Sequence, residues 1–77
     1  MKYQMLHTLL KHAEANVQLH KLNIRTYLVN PAGIGEHSDI MEAMQAEADK
    51  AAMHQDRADL FTQMIEEENE IDFDTEE

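Results

Sequence analysis

Cysteine is absent from the 77 residues, proline occurs once, glycine twice, and the aromatic side chains are two tyrosines and two phenylalanines with no tryptophan. Without cysteine there is neither a disulfide framework nor a thiolate metal site. Positive charge is also scarce: six Lys and Arg stand against sixteen Asp and Glu, a formal charge of -10. That balance argues against the nucleic-acid backbone and an anionic membrane surface as partners. No basic patch interleaved with aromatics is present to read a nucleic acid. Apolar runs fall far short of a membrane span, and the start MKYQMLHTLL has no apolar h-region or small-residue cleavage site. The expectation is a soluble, cytoplasmic protein. Strand signals are missing too, apart from Ile24–Val29 (IRTYLV), which has no second run to pair with.

What little proline and glycine there is lies in one stretch, Asn30 to Asp39 (NPAGIGEHSD). Pro31 lacks an N–H and disfavours α conformation in the residue before it, so a helix arriving from the N-terminal side should stop near Val29 or Asn30. Gly33 and Gly35 can take positive φ and let a short connection reverse direction. Asp39, with Glu42 three residues on, forms a capping-box pattern that starts a second helix; Ser38 is the competing N-cap. Asn30, Pro31, Gly33, Gly35 and Asp39 are therefore the structural turn residues. Glu36 and His37 in the same stretch need no role beyond the turn.

On the N-terminal side, apolar residues recur every three or four positions at Leu6, Leu9, Leu10, Ala13, Val17, Ile24, Tyr27 and Leu28, with His20 filling the one gap. This is the spacing of an amphipathic helix over about 2–29. Leu19 and Leu22 widen its apolar face beyond what one helix partner covers. On the C-terminal side, Ile40, Met41, Met44, Ala48, Ala51, Ala52, Ala58, Phe61 and Ile65 define a helix over about 39–69. Met53, Leu60 and Met64 form a second stripe on it. From Glu66 onward (EEENEIDFDTEE) acids crowd the negative end of the helix dipole. The helix should fray after about Glu68, and 71–77 should be an acidic mobile tail.

The fold expected is all-α: residues 1–70 form an antiparallel two-helix hairpin with 30–38 as its connection. Surplus apolar faces and a chain too short for a large core predict a homodimer that closes a four-helix bundle with coiled-coil-like packing. Charge agrees with antiparallel pairing. Lys2, Lys11, Lys21 and Arg25 against Glu14 leave residues 1–30 at +3, while Lys50 and Arg57 against fifteen acids leave 31–77 at -13.

Candidates for chemistry are few. His12, Asn16 and His20 step by four along the first helix, and Glu47 and His54 lie seven apart on the second. Bundle metal sites use Glu-x-x-His on paired helices, which this chain lacks, so no metal or other cofactor is expected. His20 in the apolar stripe reads as a buried polar residue with a satisfied hydrogen bond. Glu66, Glu67 and Glu70 match the EExxE of all-α, Mg²⁺-dependent NTP pyrophosphohydrolases, but the second acidic motif of those enzymes has no counterpart here. Ile71 and Phe73, embedded in acids, are candidate partner-binding residues for a groove on another protein. No Ser/His/Asp order or phosphate-cradling loop occurs, and no catalytic residue is assigned.

The run LNIRTYLVNPAGIGEHSDIMEAM, Leu22 to Met44, resembles small helical-hairpin proteins of T4-like marine phages, in which a helix enters an Asn-Pro, Gly-x-Gly-Glu-His loop and a second helix follows. The resemblance covers about a third of the chain. It implies an α-hairpin, a phage or marine metagenomic origin and hence a host-cell cytoplasm, with no catalytic or binding residue. The function expected is that of a non-enzymatic structural or interaction protein that self-associates, with a host or phage protein as a further partner. The rival classes are an acidic protein that occludes a nucleic-acid-binding host protein, and the Mg²⁺-dependent pyrophosphohydrolase.

Overall fold

The computed structural model describes residues 1–30 and 37–76, and the side chains of 1–30 and 39–71. Pro31, Gly33 and Gly35 lie outside that range, as does the side chain of Phe73. Two helices account for the described chain: α1, Lys2–Val29, and α2, His37–Glu76. They pack against each other as an antiparallel hairpin in which Lys2 meets Glu68 and His20 meets Glu47. The rod measures 62 × 15 × 14 Å. Its long axis matches the length of α2, whose 40 residues rise about 1.5 Å each.

α1 ends at Val29, as proline chemistry requires. Asn30 leaves helical geometry with φ -143° and ψ 71°, and its N–H still donates to the Thr26 carbonyl at 3.0 Å. Ile24–Val29, for all its β-formers, is helical. Helix α2 differs from expectation at both ends. It begins at His37, so Asp39 sits inside the first turn, where its charge favours the dipole, and is not the N-cap. At the other end it continues to Glu76, past both the fraying expected after Glu68 and the helix end expected near Asn69. Each added residue brings a backbone hydrogen bond and glutamate is a good helix former, so propagation outweighs a dipole penalty of about 0.3–1 kcal/mol per charge. The last well-anchored turn is tied to α1. Tyr3 Oη donates to the Glu68 carbonyl at 2.8 Å, and Lys2 Nζ lies 2.9 Å from Glu68 Oε2.

The seam between the helices alternates three- and four-residue steps without a break. On α1 it runs Tyr3, Leu6, Leu10, Ala13, Val17, His20, Ile24, Tyr27; on α2 it runs Ile40, Met44, Glu47, Ala51, His54, Ala58, Phe61, Ile65, Glu68, and all of these are buried or half-buried. A mean step of 3.5 is the knobs-into-holes repeat of a coiled coil. It also sorts the adjacent apolar pairs. Of Leu9/Leu10, Tyr27/Leu28, Ile40/Met41 and Ala51/Ala52, only one member can face the other helix, so Leu9, Leu28, Met41 and Ala52 are exposed, as is Ala48. Those five lie off the stripe on which the spacing alone places them.

Among the described residues the buried set is small: Ala13, Val17, Ile40, Ala58 and Ile65. Accessible surface is 5834 Å². A compact monomer of 8.9 kDa would expose about 4,800 Å² on size scaling, so the hairpin carries roughly 1,000 Å² more than a globule of its mass.

Candidate functional site

Three polar side chains interrupt the apolar seam within two turns of α2. His20 comes from α1, Glu47 and His54 from α2, and the unbroken seam spacing turns all three toward the opposite helix. His20 Nδ1 donates to Glu47 Oε2, with the two side chains only 13% and 12% exposed. Next to them the His20 and His54 rings stack, centroids 5.6 Å apart and planes 6° from parallel. His54 Nδ1 is shut off from solvent with no hydrogen-bond partner among the described residues.

These contacts set protonation. The hydrogen bond from His20 holds the Glu47 carboxyl below its ordinary range against the opposing effect of burial, and Asn23, the His20 charge and Lys50 add to the lowering. Burial pushes His54 down, and the nearby charges of Arg57, His20 and His12 act in the same direction. Near neutral pH the layer is thus an ionised carboxylate, a histidine donating to it, and a stacked neutral imidazole. Such a layer fixes which residues of α1 and α2 stand opposite each other, because any slip along the seam would leave Glu47 without its donor.

Of the histidine constellation visible in the sequence, His20, Glu47 and His54 are brought together. His12 and Asn16 are not: they are joined within α1, where Asn16 Nδ2 donates to the His12 carbonyl at 2.9 Å on the exposed side. Among the described residues no group of three or more His, Asp or Glu is arranged to hold a metal ion. Glu66, Glu67 and Glu70 all point to solvent, Glu67 accepting from Gln63 at 2.9 Å. Their neighbour Glu68 turns inward to Lys2 and Tyr3. Ile71 is 54% exposed at the far end of α2. Sequence reasoning missed Tyr3 and Glu68 as seam residues; running the three-four spacing one step back from Leu6 and one step on from Ile65 finds both.

The hairpin has two long faces of different character. Residues one position before each seam residue put Met5 and Leu9 of α1 beside Met64 of α2, where with Lys2, Leu6 and Glu68 they line an open cleft of about 280 Å³. Leu60, one turn from Met64, and Met53 extend that face, and each of these five is at least a third exposed. Residues one position after the seam line the other face, where a shallow cleft holds Glu14, Gln18 and Gln55. Met1, Met5 and Leu9 continue the apolar side around the outer edge of α1.

The architecture defines an antiparallel coiled-coil hairpin of two helices with a polar cluster in its seam and exposed methionine and leucine along one flank, densest at the end where α1 starts. Comparison with protein-family models, with curated proteins and with solved structures finds no match to this chain. No helix among the described residues is long and apolar enough to cross a membrane.

Proposed function

We propose that the chain is a non-enzymatic interaction protein that self-associates, two hairpins closing a four-helix bundle. The observation that carries this reading is the apolar flank: Met5, Leu9, Met53, Leu60 and Met64 stand 59%, 45%, 44%, 52% and 36% exposed on one side of the rod. Methionine and leucine arrayed along one face of a helix pair are the material of helix packing. The roughly 1,000 Å² of surface above that of a compact monomer supports the same reading, since stable interfaces bury about 800 Å² per partner. The pairing of His20 with Glu47 supports a structural role for the polar layer.

Light scattering across a range of protein concentrations, with and without EDTA, tests the proposal. Twice the chain mass is expected in both conditions, with Leu60→Glu shifting the protein to single-chain mass while it remains helical by circular dichroism. A wild-type chain that stays monomeric at every concentration overturns the reading.

A further inference from the structure

We infer that the two hairpins pair side by side with both α1 N-termini at the same end, so that α1 of each chain lies antiparallel against α2 of its partner and Met5 meets the partner's Met64. This deepens the dimer reading and rests on it. A closed pair of identical faces needs a two-fold axis lying in the plane of contact. Only two directions then keep the helices aligned. An axis along the rod sets α1 on the partner's α2 and holds every residue at its own level. An axis across the rod turns one hairpin end for end, setting α1 on α1 and α2 on α2.

Two features favour the first. The apolar flank is concentrated at the end where the chain starts, at Met5, Leu9, Leu60 and Met64. The same flank positions at the other end are Asn23, Thr26, Lys50 and Ala46, with Leu19 the one large apolar side chain among them. With the axis along the rod the apolar ends meet. With the axis across it, full overlap buries methionine and leucine against asparagine, threonine and lysine, leaving polar groups without water. Charge points the same way. α1 carries four basic residues against Glu14, and α2 carries thirteen acids against Lys50 and Arg57, a balance of +3 against -11. Neighbouring helix axes lie about 8–10 Å apart, close to one Debye length of about 8 Å at physiological salt, so charges on adjacent helices are only partly screened. Two α2 helices in direct contact would therefore repel, whereas α1 on α2 attracts. In the same-end arrangement the acidic ends of α2 fall on the diagonal of the bundle, roughly 14 Å apart for ~10 Å sides, where salt screens them.

The chain has no cysteine, so single replacements report the pairing directly. Met5→Cys and Met64→Cys proteins, one isotopically heavy, are mixed, allowed to exchange subunits and treated with a mild oxidant. A mixed disulfide between the two variants is expected as the dominant product, with self-linked Met5→Cys and Met64→Cys reduced to traces. Leu9→Cys with Leu60→Cys forms a second pair at the next level and should behave alike, which guards against one replacement perturbing the fold. Self-linked products in excess, or no cross-link from variants that are dimeric by light scattering, overturn the same-end pairing and leave the dimer standing. Monomeric wild type in light scattering overturns the dimer reading itself.

Discussion

Replacing Ala13 by leucine is expected to destabilise the hairpin although it adds apolar surface and keeps a good helix former. Ala13 is 2% exposed and Ala58 4%, and stepping along the seam from the Tyr3–Glu68 contact puts them at the same level. Small side chains there let the two helices approach closely, with Leu10 and Val17 filling the layers on either side. If a leucine had space to enter, burying it would contribute about 1.5–3 kcal/mol. No such space exists, because the seam is already closed around both alanines. The added carbons must push the helices apart or force strained rotamers, a net loss of about 1–3 kcal/mol. Against the total stability of roughly 4–11 kcal/mol usual for 77 residues this is a large fraction. Urea unfolding followed by far-UV circular dichroism reads the effect, at one fixed protein concentration because self-association adds its own stabilisation. Ala15→Leu is the control: Ala15 is exposed on the same helix, and its replacement should change stability by no more than about 0.5 kcal/mol. An Ala13→Leu midpoint at or above wild type, or an equal loss from Ala15→Leu, would refute the close-approach account.

Acid should weaken the fold in two stages. The folded state holds the His54 value below its ordinary 6.5, so the unfolded chain binds the proton more readily; stability is full above pH 6.5 and declines as pH falls through the depressed value. Glu47 is lowered from 4.5, so its contribution is present above pH 4.5 and is lost below it. Urea midpoints measured from pH 8 to pH 4 should fall monotonically, and a flat profile between pH 8 and 5 would remove the His54 part. At the open end, Tyr3→Phe deletes the hydrogen bond to the Glu68 carbonyl and should cost about 0.5–1.5 kcal/mol. An unchanged melting temperature would show that bond to be dispensable.

The three-four recurrence of apolar residues and the single Pro/Gly-bearing stretch determine by themselves that the chain forms two helices and that the first ends near Val29 or Asn30. Local physics suffices there: a proline blocks the helix whatever surrounds it, and the period of an apolar stripe names the buried face. Sequence alone could not decide between adjacent candidates. Leu9 and Leu10, or Ile40 and Met41, are equivalent in composition, and only the partner helix selects Leu10 and Ile40 for the seam and leaves Leu9 and Met41 outside. The end of α2 is another such case, since the dipole argument counts local charge and omits the hold that Tyr3 and Lys2 take on Glu68. The polar layer is the clearest. Glu47 and His54 stand out in the sequence as candidates seven apart on the second helix, but only antiparallel packing brings His20, twenty-seven residues from Glu47 along the chain, against both of them. A contact that distant depends on how two helices lie against each other, and no window of sequence contains it.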